Sequence, residues 1–144
     1  MTRYSVLALT LFGLTAWSAP KVKAKASPIV GEWVVESRTV GGRVLAQPAV
    51  RTRLIFRADG TYTFVVNGQD SDPHGHKFTL NPKADPPEID FAPREKPAYF
   101  GVFNLEKETL TLCVNPAGDP RPTAFESAAD SKTTLYVLKR ASKD

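Results

Sequence analysis

Gly31-Glu32-Trp33-Val34-Val35-Glu36-Ser37-Arg38 reads as the opening strand of a half-buried sheet. Successive side chains of a strand point to opposite faces, so Ile29, Trp33 and Val35 share one face while Glu32 and Glu36 share the other. One face is core and the other meets water. A large indole beside a glycine at the head of such a strand suits a closed antiparallel sheet, whose last strand returns to lie against its first. That returning strand is Thr133 to Arg140, and antiparallel closure brings Arg140 over Trp33. A guanidinium on an indole face is worth about 0.5 to 2 kcal/mol, and here it would also seal one end of a barrel.

Between these two strands no 3.6-residue apolar stripe appears, whereas short alternating runs bounded by Gly, Pro, Asp and Asn recur. The reading is all-β. Val40-Gly41-Gly42-Arg43 is a turn, and the stretch to Pro48 is a loop or a short helix. Val50 to Phe56 and Tyr62 to Val66 form a hairpin whose register follows from its turn. With Ala58-Asp59-Gly60 as a three-residue loop and Gly60 left-handed, Phe56 pairs with Tyr62, Leu54 with Phe64 and Thr52 with Val66. This choice gathers the large apolar groups on one face and Arg51, Arg53 and Arg57 on the other.

Asn67 to Gly75 is a polar loop, and His76 to Asn81 a strand with Phe78 and Leu80 inward. Prolines 82, 86, 87, 93 and 97 crowd Glu88-Ile89-Asp90-Phe91, which is expected to be at most a short edge or rim strand, because proline donates no ladder hydrogen bond. Tyr99 to Leu105 and Leu110 to Val114 make a second hairpin across Glu106-Lys107-Glu108, and residues 115 to 130 are loop. In the last strand Leu135 and Val137 are expected inward. About eight strands joined by local turns can close into a single up-and-down barrel. The inward candidates Trp33, Leu54, Phe56, Tyr62, Phe64, Phe78, Tyr99, Phe103, Leu110, Leu112, Leu135 and Val137 are bulky, in an interior just wide enough for side chains or one small ligand.

The chain begins with Arg3 and a nearly unbroken apolar run from Ser5 to Trp17, the form of an export signal and too short for a comfortable membrane span. The expected organisation is a signal peptide at 1–18, with cleavage as late as residue 26 admissible, a linker at 19–28, the barrel at 29–140 and a tail at 141–144. The expected location is periplasmic or extracellular. Arg3, Lys21, Lys23 and Lys25 supply four of the 19 basic residues and none of the 15 acidic ones precedes Ser27, so the folded part is balanced despite the +4 of the whole chain. A nucleic-acid partner has no basic patch to meet. Outer-membrane strands of roughly 9 to 11 residues are not matched by these shorter, proline-interrupted ones, so no integral membrane segment is expected after signal removal. Cys113 is the single cysteine, so no intrachain disulfide forms, and it reads as a small apolar side chain.

Gly31-Glu32-Trp33 on the first strand and Leu138-Lys139-Arg140 on the last resemble the short signature of calycin barrels. Further stretches are similar to a family of conserved lipocalin-like domains abundant in planctomycete bacteria. These are Gly41-Gly42, Thr79-Leu80-Asn81-Pro82, Pro87 to Phe91, Gly101 to Leu105, Leu110 to Cys113 and Arg121-Pro122-Thr123-Ala124-Phe125, in the family's order from Ile29 to Arg140. Phe103 departs from the family's tyrosine, and Glu106-Lys107-Glu108 from its glycine-aspartate turn. The resemblance implies an exported single-domain barrel. It marks Gly31, Trp33, Arg121, Pro122, Phe125 and Arg140 as signature positions of structural character, and it brings no catalytic residues.

Asp70-Ser71-Asp72-Pro73-His74-Gly75-His76 is the one cluster with metal-binding residue types, but Pro73 and Gly75 break its alternation, and Asn81 stands where a calcium loop needs its twelfth-position glutamate. It reads as a solvated loop. Arg121 before Pro122 is either a ligand-facing cation or, preferably, a clamp on loop carbonyls. Glu32, Glu36, Asp90 and Glu126 are the carboxylates available for acid and base work, with nothing to pair them, and no nucleophile motif is present. Neither a catalytic site, nor a metal site, nor a cofactor is expected. The function expected is a binding module for a small apolar ligand or a protein partner, any cavity opening away from the Trp33 and Arg140 end. The alternatives are an interaction domain with a filled barrel and an enzyme or metal protein using the Asp70 to His76 loop.

Overall fold

The computed structural model describes residues 27–46, 51–93 and 96–142. The expected signal peptide and most of the linker lie outside the described residues. Ten strands follow in chain order: β1 (Gly31–Val40), β2 (Arg43–Ala46), β3 (Thr52–Phe56), β4 (Thr61–Val66), β5 (Gln69–Asp70), β6 (His76–Asn81), β7 (Glu88–Ala92), β8 (Tyr99–Glu106), β9 (Thr109–Pro116) and β10 (Thr134–Arg140). Eight of them, β1, β3, β4, β6, β7, β8, β9 and β10, form a closed antiparallel up-and-down barrel, with β1 hydrogen-bonded to both β3 and β10. The two short strands are additions, β2 pairing back on the end of β1 and β5 on the end of β4. Arg43 to Ala46 is therefore strand, where loop or helix was expected.

The turn sets the register of the β3–β4 hairpin. Gly60 takes a φ of 84°, the Arg57 and Thr61 backbones close on each other, and Phe56 pairs with Tyr62, Leu54 with Phe64 and Thr52 with Val66. Asp59 Oδ1 accepts from the Thr61 N–H at 3.0 Å and from its Oγ1 at 2.6 Å, which holds the carboxyl below its ordinary range. The expected edge strand is not one: β7 pairs with β6 on one side and β8 on the other. Its prolines flank the strand rather than enter it, so the ladder keeps every donor.

Two phase changes separate the barrel from simple alternation. β1 carries a bulge at Glu36: Val35 faces Leu138, but Ser37 faces Val137 and Arg38 faces Tyr136. One extra residue on one strand exchanges the faces of everything after it. Trp33 and Val35 thus point inward in the first half of β1, and Arg38 in the second. In β10 the inward residues are Tyr136 and Leu138, opposite Leu112 and Leu110, and not the expected Leu135 and Val137. Apolar residues on both faces of β10 left its phase open, and pairing with β9 decides it.

The core runs from Ile29, Trp33 and Leu138 at one end through Leu54, Phe56, Phe78, Ile89, Leu110 and Leu112. Phe56 meets Phe78 edge-on with ring centroids 4.9 Å apart, and Tyr62 meets Phe91 at 4.8 Å. Outside the barrel, the segment from Asn67 to Gly75 lies over Thr63, which is wholly buried, and the loop after β9 lies against Cys113, whose thiol meets the Glu126 carbonyl. Burial raises the Cys113 thiol pKa, consistent with an inert apolar side chain.

Candidate functional site at the open end of the barrel

One end is shut. Trp33 Nε1 donates to the Ile29 carbonyl at 2.8 Å, and the Arg140 guanidinium lies over the indole, 4.2 Å from its centroid. Arg140 also donates to the carbonyls of Pro28 at 2.9 Å and Val30 at 3.3 Å and approaches Glu108 at 3.4 Å. Gly31 completes the plug, for a Cβ there would sit 2.8 Å from Arg140 Nη1 on a backbone with φ of 135°. Gly-x-Trp and the distant arginine are thus one device: the glycine makes room for the guanidinium that covers the ring.

The other end is hollow. A cavity of about 190 Å³ is lined by Arg38, Leu54, Tyr62, Phe64, Phe91, Tyr99, Leu112, Val114, Thr134 and Tyr136. Its floor is Leu54, Tyr62, Phe91 and Leu112, all buried, and Tyr99 and Arg38 stand at its rim, exposed. The Arg38 guanidinium lies 5.6 Å from the Tyr136 ring centroid. Burial pushes the Tyr62 hydroxyl up to about 12, with Tyr99 and Tyr136 adding to the rise. Burial also raises Tyr136, against the opposing pull of Arg38. Both phenols are therefore neutral donors at neutral pH.

The residues singled out from sequence lie elsewhere. Arg121 stands on the outside of the barrel, where it donates to Asp90 Oδ1 at 2.6 Å and the Gly101 carbonyl at 2.9 Å, approaches Glu88 at 3.6 Å and covers the Phe100 ring at 5.4 Å. It clamps the long loop onto β7 and β8. Pro122 and Phe125 belong to that loop and are partly buried. Glu32 pairs with Arg53, Glu36 with Lys139 and Asp90 with Arg121, and the Glu126 carbonyl accepts from Cys113. None of these carboxylates lines the cavity.

Asp70, Asp72 and His76 of the Asp70 to His76 segment are engaged by the protein itself, within the segment and with its neighbours Thr63 and Pro93. Asp70 Oδ1 accepts from Thr63 Oγ1 and the Asp72 N–H, which lowers its pKa; Asp72 Oδ1 accepts from the His74 N–H, and His76 Nδ1 lies 2.8 Å from the Pro93 carbonyl. Among the described residues no three His, Cys, Asp or Glu side chains converge as metal ligands would.

Of the lining residues, Arg38, Phe91, Val114, Thr134 and Tyr136 are not among the inward candidates read from sequence. Arg38 stood in the opening stretch, but only the bulge at Glu36 turns it inward. The chain matches no family model, no curated protein and no solved structure.

Proposed function

We propose that this chain is an exported, lipocalin-like binding module, without a catalytic role, that takes one small apolar molecule in the open mouth of its barrel. The observation that carries this reading is the asymmetry of the interior: one end is plugged by its own side chains, while the other keeps an aromatic-lined hollow. At about 190 Å³ the hollow is smaller than the roughly 300 to 1,000 Å³ of drug-sized sites and nearer the cavity of about 150 Å³ that accepts benzene. The body of the ligand is therefore about one ring or a short chain.

Native mass spectrometry of the protein purified gently from its own host tests this. The expected species is heavier than the bare chain by one discrete small-molecule mass, which is lost on denaturation. A bare chain whose melting temperature is also unmoved by saturating toluene overturns the reading. The rival is a partner-binding domain with no ligand, favoured by Val44 and Leu45 of β2, which are 67% and 53% exposed. That rival gains if the bare chain co-purifies in a defined complex that a polar substitution at Val44 disperses.

A further inference from the structure

The bulge at Glu36 places a cation on the rim of an apolar hollow, and that placement carries chemical information. Among the described residues Arg38 is the only charged one lining the cavity. Arg53, Arg57, Arg121 and Arg140 are each paired with a carboxylate, and Arg43 and Arg51, which have no carboxylate partner among the described residues, do not line the cavity. Arg38 pairs with no carboxylate among the described residues, and its described neighbour is the face of Tyr136. The stacking orients the fork of donors, whose edge meets no hydrogen-bond partner among the described residues.

The groups around it are donors as well. Thr134 and the phenols of Tyr99 and Tyr136 line the same mouth. Among the described residues the one buried side-chain oxygen without a partner is Asn115 Oδ1, which does not line the cavity, so the tyrosine hydroxyls are not stranded in sealed core. Among its described residues the mouth has one guanidinium, neutral hydroxyls and no carboxylate, an arrangement complementary to a single negative charge. The planar fork of arginine matches a carboxylate through two parallel hydrogen bonds, whereas a phosphate dianion would call for a second cation that the described lining does not contain.

We propose that the ligand is a small organic monocarboxylate, its apolar body among Tyr62, Phe91 and Leu112 and its carboxylate on Arg38, so that Arg38 sets the specificity of the site. This rests on the binding reading above and narrows it to one chemical class.

The test is calorimetric titration of the purified full chain at pH 7 with benzoate and with benzamide, which share shape and differ in charge. Benzoate is expected to bind about tenfold or more tightly, the range of a charge-assisted hydrogen-bond pair. In Arg38→Met the ratio of the two affinities is expected to fall to about one, and in Arg38→Lys to lie between, because the charge stays and the fork is lost. Equal affinities in the unaltered chain, or a ratio that Arg38→Met leaves unchanged, overturn the carboxylate assignment while leaving the hollow as a neutral binding site. Failure of both probes to bind overturns the carboxylate assignment and counts against the binding reading as well.

Discussion

The same two strands, β1 and β10, each put an arginine over an aromatic ring, at opposite ends of the barrel. At the closed end Arg140 covers Trp33 at 4.2 Å, and at the open end Arg38 covers Tyr136 at 5.6 Å. The closed-end guanidinium also holds the Pro28 and Val30 carbonyls and approaches Glu108. The open-end guanidinium faces a cavity. Residue type and stacking are therefore shared, and what separates a plug from a candidate receptor is whether the donors are already engaged. An arginine with its hydrogen bonds made holds the fold together; one with its edge open is available to something else.

This contrast can be broken most severely at Trp33. The ring is fully buried, and Trp33→Ala should cost about 3 to 5 kcal/mol, read as a large fall in the denaturant midpoint. A loss below about 1 kcal/mol would show that the closed end is not packed as described. Arg140→Ala comes next, at about 2 kcal/mol, since a partly exposed cation–π contact and two carbonyl hydrogen bonds go together. Its melting transition should fall, and its tryptophan emission should shift to the red. An unchanged transition would make the two arginines equivalent and remove the distinction drawn between the ends.

High pH probes the floor between them. The Tyr62 pKa is raised to about 12 from an ordinary 10, so between those values the folded state holds a proton that the unfolded state has released. Stability that is full below about pH 10 is lost as pH rises towards 12. A phenolate absorbance titration should show a step near 12 that disappears in Tyr62→Phe, with Tyr136 also titrating above its ordinary range; a single step near 10 for every tyrosine would mean the hollow is wet to its base. The smallest effect belongs to Arg38→Ala, which should leave stability within about 0.5 kcal/mol. A cost as large as that of Arg140→Ala would show Arg38 to be a second plug.

The closed end was legible in sequence because its parts are unusual. A glycine before a strand tryptophan and an arginine ending the last strand constrain one another through antiparallel closure, and the β3–β4 register followed from one left-handed glycine. The open end was not. A bulge has no residue signature, and Glu36-Ser37-Arg38 is polar throughout, so the pattern does not mark where the faces exchange. Only the pairing of Ser37 with Val137 shows that the count has slipped. The phase of β10 was hidden for a related reason, since Leu135, Tyr136, Val137 and Leu138 are apolar on both faces. Arg121 reads in sequence as a clamp on loop carbonyls, but its partners are the Asp90 carboxylate and the Gly101 carbonyl on the paired strands β7 and β8.

The Arg140 guanidinium reaches a carbonyl 110 residues earlier in the chain. The seam it fastens is thus among the least local pairings in the molecule, and loop entropy must be overcome before β1 and β10 reward each other. Until β10 docks, β1 and β9 present unpaired edges able to recruit strands from other chains. Folding should therefore be limited by this last closure, and a chain interrupted before Thr134 should form sheets with its neighbours instead of a barrel by itself.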